Sequence, residues 1–426
     1  MRTNKFIAAI FGTLLALAAL AVRAELTVQI TQGADGGIPI AIAPFGGQEI
    51  LGGENLGSII SADLARSGRF RTLPLESMPQ RPTAPEQVQF PAWQALSQDD
   101  LVIGQIRPTG GGQFVAQFHL FDAVRGNLIT TLSIPFAAPE ARKAAHRIAD
   151  IIYQQLTGEA GAFATRVAYV TVNGQGPNRR YQLQVADTDG ANPQSIITSR
   201  EPIMSPSWSP DGRQVAYVSF ENKTAAVFTQ TLSSGERQKV SEAPGINGAP
   251  AWSPDGSRLA MTLSKDGNPD IYVMDLGSRS LQRITDHFAI DTEPSWSRDG
   301  RSILFTSDRG GKPQLYLVSS AGGQPQRVTY EGEYNARGVY SPDGKSIAMV
   351  HGVGGSYRIA VLDLANRQLR ILTKGPQDES PGFAPNGSMI LYAANGGQLA
   401  AVSIDGKVRQ SLRVDAGSVR QPAWSP

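Results

Sequence analysis

One aromatic phrase recurs at nearly constant spacing along the C-terminal part of this 426-residue chain. The phrase is Trp-Ser-Pro-Asp-Gly or a close variant of it, and its copies begin at Trp208, Trp252, Trp296, Tyr340, Phe383 and Trp424. Successive copies lie 44, 44, 44, 43 and 41 residues apart. Since a four-stranded blade of a β-propeller takes ~40–45 residues, the spacing predicts one blade per copy.

The residues that follow each phrase predict the remaining strands of a blade. In one copy a β-type run at residues 259–262 is followed by runs at 271–276 and 281–285. With the aromatic segment these make four strands. In the Pro-Asp-Gly step, proline presets φ, aspartate caps the turn and glycine supplies positive φ. We expect the aromatic side chain to fill the wedge between adjacent blades.

The two ends of the repeat predict how the ring closes. Residues 167–170 resemble the second strand of a blade, but no aromatic phrase precedes them. Conversely, no strand follows the last phrase, at Trp424. Residues 421–426 should therefore complete the blade that begins at residue 166. The sequence thus predicts a six-bladed β-propeller over residues 161–426, closed by its C-terminal strand, which removes the open sheet edge.

Residues 25–160 lack the repeat and predict a small α/β domain. The strand-like stretches are residues 26–30, 38–44, 101–106, 114–121 and 128–134, and the helical patterns are residues 56–66 and 139–156. Gly158 supplies the stop signal of the second helix. A proline-rich loop lies between the first helix and the later strands.

The first 24 residues have the three-part pattern of a secretory signal peptide. Arg2 and Lys5 precede an apolar run, which ends in a small-residue cleavage site at Ala24. The alternative is an uncleaved anchor helix, but the run is short for a bilayer core of ~30 Å. We therefore predict cleavage before Glu25 and a mature protein outside the cytoplasm that does not insert into the membrane.

Charge and cysteine content exclude several classes of protein. The chain has 39 Lys and Arg against 37 Asp and Glu, and loss of Arg2, Lys5 and Arg23 with the leader leaves 36 against 37. A nearly neutral chain has no source of long-range attraction to nucleic acid or an anionic membrane. The absence of cysteine excludes disulfides, thiolate catalysis, Cys-ligated zinc and a lipid-anchored cysteine.

A search for catalytic and metal-binding patterns favours structural roles for the candidate residues. No serine lies in a Gly-x-Ser-x-Gly elbow. The histidines are His119, His146, His287 and His351, and none is spaced as a metal-binding pair. We interpret His119 as a strand residue and His146 as lying on the polar face of a helix. Asp255, Asp299 and Asp343 are interpreted as turn caps. The prediction is a protein without catalytic residues, cofactor or metal.

Two sets of loops should rim the channel on one face of the propeller. They are residues 203–206, 246–250, 291–294, 335–338, 378–381 and 419–422, which lead into the inner strands, and residues 173–180, 221–224, 265–269, 308–312 and 352–356, which join the second and third strands. Variable loops at one end of a rigid scaffold are how binding sites are usually displayed. The alternative is that they are solvated turns.

The whole mature chain resembles the TolB family, the soluble periplasmic component of the Tol–Pal system of Gram-negative bacteria. The matching stretches are residues 39–45, 91–96, 102–105, 165–169, 204–212, 247–250, 270–275, 292–294 and 422–426. The repeat alone is only moderately specific. The combination of a signal peptide, an α/β domain and repeats at these positions is specific for the family.

The resemblance implies a monomeric, non-enzymatic periplasmic adaptor that supports outer-membrane integrity and cell division. Its partners would be the peptidoglycan-associated lipoprotein Pal, at the propeller rim, and TolA, at the segment after the signal. The residues assigned to Pal are Met204, Asn247, Gly248, Ala249, Thr292, Glu293, Asn335, Arg337, Asp378 and Glu379. The residues assigned to TolA are Glu25, Leu26, Thr27, Val28, Gln29, Ile30, Thr31, Gln32 and Gly33.

Two departures from the family pattern and two other functions stay open. Ile246 stands where the pattern has a histidine, and residues 31–37 are less acidic than the pattern. One alternative function is a propeller that binds a sugar or a metal such as calcium in its channel, through Asp, Asn and Glu on the rim. The other is a propeller hydrolase or lyase.

Overall fold

The computed structural model describes residues 26–32, 36–414 and 417–426. The predicted signal peptide therefore lies outside the described residues, as do Glu25 and Gly33. No helix in the described part of the chain is long and apolar enough to cross a membrane. The first described element is strand β1 (Leu26–Gln32).

The part of the chain between β1 and the propeller forms an α/β domain on a mixed five-stranded sheet, which confirms the predicted fold class. Its elements are β2 (Ile38–Ile42), α1 (Leu56–Arg66), β3 (Phe70–Thr72), α2 (Phe90–Gln94), β4 (Asp100–Gly110), β5 (Gln113–Asp122), β6 (Asn127–Ala137) and α3 (Ala141–Thr157). The strand order is β3-β2-β4-β5-β6. Strand β2 runs parallel to both neighbours, and β4, β5 and β6 are antiparallel.

Local sequence signals account for helices α1 and α3. The Asn55 side chain caps α1 by accepting a hydrogen bond from the Ser58 N–H at 3.0 Å. Helix α3 ends where Gly158 adopts φ 76°. Apolar residues at helical spacing, including Ile60 and Ile148, pack both helices on one face of the sheet. The other face is covered by α2, whose Trp93 is fully buried.

The remaining described strands build the predicted six blades. They are β7 (Arg166–Asn173), β8 (Arg180–Asp187) and β9 (Gln194–Ser199) in blade one; β10 (Ile203–Trp208), β11 (Gln214–Ser219), β12 (Ala226–Thr231) and β13 (Arg237–Ser241) in blade two; β14 (Asn247–Trp252), β15 (Arg258–Leu263), β16 (Asp270–Asp275) and β17 (Leu281–Arg283) in blade three; β18 (Asp291–Trp296), β19 (Ser302–Ser307), β20 (Gln314–Ser319) and β21 (Gln326–Arg327) in blade four; β22 (Tyr334–Tyr340), β23 (Ser346–Val353), β24 (Ser356–Asp363) and β25 (Leu369–Ile371) in blade five; and β26 (Glu379–Phe383), β27 (Met389–Ala394), β28 (Gln398–Ser403) and β29 (Arg409–Val414) in blade six.

The last strand, β30 (Ser418–Trp424), closes the ring. It pairs antiparallel with β7, with Ser418 opposite Val172 and Trp424 opposite Val167. Beyond the strand, the Ser425 hydroxyl accepts a hydrogen bond from the Arg166 N–H at 2.9 Å. Blade one therefore takes its inner strand from the C-terminus, as the incomplete first and last repeats predict.

The aromatic residues of the repeat connect neighbouring blades. In three copies the indole N–H donates a hydrogen bond to the inner strand of the preceding blade. The pairs are Trp208 to the Ala423 carbonyl at 3.1 Å, Trp252 to the Ser207 carbonyl at 3.2 Å and Trp296 to the Ala251 carbonyl at 3.0 Å. The expected wedge position is confirmed for these three residues, and the hydrogen bonds satisfy their polar groups.

The Pro-Asp-Gly steps are turns capped by the aspartate. The Asp255 carboxylate accepts hydrogen bonds from the Ser253 hydroxyl at 2.6 Å and the Ser257 N–H at 3.0 Å. These two hydrogen bonds lower the pKa of Asp255 to about 2. Asp299 and Asp343 make the equivalent contacts. The predicted role of these carboxylates as turn caps is confirmed.

The α/β domain packs on the turn side of the propeller, against blades one and six. The Asn386 side chain, in the turn between β26 and β27, donates a hydrogen bond to the Ala160 carbonyl at 2.9 Å. Arg66 of α1 donates to the Thr188 hydroxyl, after β8, at 3.0 Å. The loops that lead into the inner strands lie at the opposite ends of the strands. The surface that these loops form, called the loop face below, therefore points away from the α/β domain.

Strand β1 lies apart from the rest of the α/β domain and extends blade six. It pairs antiparallel with β29, with Leu26 opposite Val414 and Val28 opposite Leu412. The predicted strand at residues 26–30 is confirmed. Blade six consequently has five strands, and β1 covers the outer edge of β29.

Candidate protein-binding face

The inner strand of every blade contains a β-bulge at the same place. Its register against the second strand shifts once in each blade, for example between Gly248 and Ala251. At each bulge one non-glycine residue has positive φ: Ser205 (52°), Ala249 (46°), Glu293 (57°), Arg337 (53°), Ser380 (58°) and Gln421 (48°). Non-glycine residues rarely adopt this conformation, which concentrates at functional sites. Because the same positive-φ position occurs in all six inner strands, the bulge is a systematic feature of these strands.

The bulge determines which predicted residues reach the surface. The residues two positions before the positive-φ residue are all buried: Ile203, Asn247, Asp291, Asn335, Asp378 and Val419. The residues one position before it are Met204, Gly248, Thr292, Ala336, Glu379 and Arg420, and all except Ala336 are at least partly exposed. Of the residues assigned from the sequence, Asn247, Asn335 and Asp378 are therefore buried. Met204, Gly248, Ala249, Thr292, Glu293, Arg337 and Glu379 lie together on the face.

The two buried asparagines hold the loops of the face in place. Asn247 Oδ1 accepts hydrogen bonds from the Ser241 hydroxyl at 2.6 Å and the Ala243 N–H at 2.9 Å. Asn335 donates to the Gln314 side chain at 2.9 Å and to the Glu331 carbonyl at 2.7 Å. Each asparagine side chain thus supplies hydrogen bonds to backbone groups of the adjoining loop. Sequence reasoning assigned them to contact with a partner, whereas their positions support the loops.

A charged pair spans blades four and five at the mouth of the channel. Glu293 accepts hydrogen bonds from the Arg337 Nε–H at 2.7 Å and from the Thr306 hydroxyl at 3.0 Å. The Arg337 guanidinium also donates to the Ser380 hydroxyl. Burial opposes the charge of Arg337, but Glu293 and Glu379 outweigh it and raise the pKa of Arg337. Because both charges are paired within the chain, the pair fixes the shape of the mouth.

The face contains three adjoining cavities, which share lining residues. The mouth cavity, of about 300 Å³, lies at the channel opening and is lined by residues that include Ala249, Thr292, Glu293 and Gln421. The apolar cavity, of about 800 Å³, lies between blades two and three and is lined by residues that include Met204, Phe220, Pro244 and Ile246. The polar cavity, of about 750 Å³, is lined by residues that include Tyr334, Tyr357, Glu379, Asn395 and Arg420.

Ala249 allows a direct test of the bulge. At φ 46° a β-branched side chain clashes with its own backbone, whereas glycine adopts this conformation freely. We expect Ala249→Val to destabilise the protein by ~1–3 kcal/mol and Ala249→Gly to leave stability nearly unchanged. Urea denaturation of the two variants beside the unchanged protein measures the difference. Equal stability of the valine and glycine variants would contradict the assigned strain.

A second cluster of titratable residues lies between the two domains. His146 Nδ1 is 2.6 Å from Asp63 Oδ2, and its Nε2 is 3.5 Å from Asp189 Oδ2. His146 is 2% exposed, so its helix face is not solvated, and its contacts with the two aspartates agree with the structural role that the sequence favours. Arg66 pairs with Asp63 at 3.0 Å, and Arg142 pairs with Asp189.

The arginines account for the charge of this cluster. Burial alone would raise the pKa of Asp189, but Arg66, His146 and Arg142 hold it below its usual value. Ligand atoms of Asp63, His146 and Asp189 are close enough together for a metal ion. Since each carboxylate already pairs with a guanidinium, a cation there would have to displace an arginine. The donor set therefore fits an ion-pair network that joins α1 and α3 to blade one.

Comparison with known proteins covers both domains. A family profile described as the TolB beta propeller domain matches residues 153–426, and one described as the TolB amino-terminal domain matches residues 26–129. The chain is 73% identical over 426 residues to the Tol-Pal system protein TolB of Methylococcus capsulatus, with 100% of both chains covered. It is 61% identical to that of Thioalkalivibrio sulfidiphilus, over 97% of this chain and 96% of the relative.

A solved structure agrees with the fold. The crystal structure of TolB from Acinetobacter baumannii superposes with a TM-score of 0.88 at 42% identity, and the match covers 94% of this chain and 100% of that one. Profile matches over both domains, full-length relatives and a shared fold all lead to one assignment. The chain belongs to the TolB family of Tol–Pal system proteins.

Proposed function

We propose that this protein is a periplasmic adaptor of the Tol–Pal system, exported by its signal peptide and without catalytic activity of its own. It binds the lipoprotein Pal through the loop face of the propeller and TolA through residues 25–33, and so supports outer-membrane integrity and cell division. The observation that carries the proposal is the loop face itself. It is concave and preformed, and it points away from the α/β domain.

Small side chains at the mouth favour a protein partner. Gly248, Ala249 and Thr292 are partly exposed and line the mouth cavity together with the larger side chain of Met204. Small residues let a partner's backbone and side chains approach closely. The surrounding loops are held by buried asparagines and by the Glu293–Arg337 pair, so little ordering is needed on binding. Such a rigid face suits a folded domain such as Pal.

Thr292 tests the assignment to Pal. Its hydroxyl lies 3.3 Å from that of Thr262, and it lines the mouth cavity. We expect Thr292→Ile to weaken Pal binding by up to about a hundredfold, because added bulk at a packed interface costs ~1–3 kcal/mol. Isothermal titration with purified Pal gives the dissociation constant, and circular dichroism checks the fold.

Thr292→Val is the matched control, because it removes the hydroxyl without adding bulk. It should bind Pal within a few-fold of the unchanged protein. Normal Pal binding by a folded Thr292→Ile variant would refute the assignment of the rim. If sugars or calcium raised the melting temperature and Pal did not bind, a ligand-binding propeller would be the better hypothesis.

The position of β1 supports its assignment to TolA. A strand at the edge of a sheet offers its backbone groups to an added strand, and an extended segment can move between two such partners. Among the strands that the structure describes, β1 pairs with β29 alone, at the outer edge of blade six. TolA can capture the same segment when it is released, so the docked and free states compete. Leu26, at the start of β1, pairs with Val414 at the end of β29, and the next strand along the chain, β30, carries Arg420 of the polar cavity.

A further inference from the structure

The apolar cavity between blades two and three differs from the rest of the loop face. Its walls include Met204, Phe220, Ala225, Pro244 and Ile246. Ile246 is 50% exposed and Met204 is 38% exposed, so two large apolar side chains are accessible within one concave site. A volume of about 800 Å³ lies in the range of preformed ligand sites, which leaves room for several apolar side chains.

The charges at the edge of this cavity are already paired. Among the described lining residues, Lys223 and Glu242 are charged. Lys223 pairs with Glu201, and Glu242 pairs with Lys239 at 2.5 Å. The Glu242 carboxylate also accepts a hydrogen bond from the Thr224 hydroxyl at 3.5 Å. An ionic ligand would therefore find no unpaired countercharge there, whereas an apolar group would match the walls.

Hydrogen bonds hold the loop at the edge of the cavity, residues 243–247, in place. The Ile246 N–H donates to the Ser264 hydroxyl at 2.7 Å, and the Ser264 N–H donates to the Ile246 carbonyl at 3.1 Å. The Asn247 side chain closes the same loop by donating to the Ala243 carbonyl at 2.6 Å. The exposed Ile246 side chain is thus held at the lip by its own backbone. A pocket ordered in advance loses little entropy on binding.

We infer that the apolar cavity is the anchor site of the loop face and receives a group of aliphatic or aromatic side chains of Pal. The inference rests on the proposed function. The apolar cavity shares Met204, Ile246 and Gly248 with the mouth cavity, so it is continuous with the rim. Binding energy concentrates where such side chains fill preformed pockets near the centre of an interface. The polar cavity beyond the mouth carries Glu379 and Arg420, so the two sides together set one orientation of the partner.

Opposite charges at Ile246 test the inference. We expect both Ile246→Asp and Ile246→Lys to raise the dissociation constant for purified Pal by at least about tenfold. Their melting temperatures should stay near that of the unchanged protein, because Ile246 is half exposed. The matched control is Ile371→Asp, which alters an aliphatic residue of similar exposure, 45%, on the outer strand β25. It should bind Pal normally.

Three other outcomes would contradict the anchor site, the proposed function or both. If the aspartate and lysine variants changed the affinity in opposite directions, the site would respond to charge, and an apolar anchor would be wrong. If both bound Pal normally while Thr292→Ile was impaired, the anchor site would be refuted and the proposed rim would stand. If the unchanged protein failed to bind Pal, the proposed function and the anchor site would both fall.

Discussion

Removal of residues 421–426 is expected to prevent this chain from forming a closed propeller. The deletion takes away the end of β30, which is the inner strand of blade one. It also removes the Ala423 carbonyl, which accepts the Trp208 indole hydrogen bond, and the Gln421 side chain, which accepts from the Ser205 N–H at 2.7 Å. Blade one would lose its partner on one side, and blade two would lose its contact across the wedge.

We expect the deletion to cost at least ~5 kcal/mol, which is comparable to the whole stability of many domains. The free energy of unfolding and the melting temperature, followed by circular dichroism, measure the effect. Deletion of Leu26–Gln32 is the matched control, because it removes a strand of similar length that lies outside the ring. It should lower the melting temperature far less. Closure by the C-terminal strand would be refuted if the two deletions were equally mild.

Deletion of residues 25–33 is expected to abolish TolA binding and to leave Pal binding intact. Under the proposed function TolA pairs with this segment through its backbone groups, so we expect no other part of the chain to replace it. The loop face lies in the propeller and keeps its inner strands in this variant. Titrations of purified TolA and Pal into the truncated protein measure both affinities.

Thr292→Ile supplies the reciprocal control for this truncation. It should bind TolA normally while its affinity for Pal falls. Loss of TolA binding in the truncated protein and loss of Pal binding in the rim variant would show two separable regions. A truncated protein that still bound TolA would refute the assignment of residues 25–33.

The repeat made the propeller predictable because its information is local. Proline, aspartate and glycine shape each turn through interactions within a few residues, and the constant spacing gives the strands of each blade. Because the first repeat lacks the aromatic phrase and the last phrase has no strands after it, a count of strands predicted that the C-terminal strand closes the ring. Helices α1 and α3 were predictable for the same reason, from apolar spacing and, for α3, from the stop signal at Gly158.

Helix α2 shows where local information ended within the α/β domain. It lies in a proline-rich stretch, has five residues and carries no side-chain cap. Its formation depends on Trp93, which is fully buried against the sheet. Sequence spacing in so short a segment cannot show that a neighbouring sheet will cover it, since helices of this length are not stable alone.

The loop face illustrates the same division at the site. Sequence reasoning found the loops, but it placed Asn247, Asn335 and Asp378 on the surface beside Gly248 and Thr292. The positive φ at each bulge changes the alternation of the strand, and that conformation depends on contacts with the neighbouring blade, such as the 3.1 Å hydrogen bond from the Arg337 N–H to Glu293. The contacts between blades in the closed ring therefore determine which side chains face outward.

The sequence alone determined the two domains, the number of blades and the closing strand, because periodic spacing and turn chemistry act over short distances along the chain. Tertiary structure alone decided that β1 docks on β29, that His146 lies buried between Asp63 and Asp189, and that the loop face has an apolar and a polar side. Each of these features joins residues far apart in sequence. Their contacts depend on which surfaces meet after the ring has closed, and no local pattern records that.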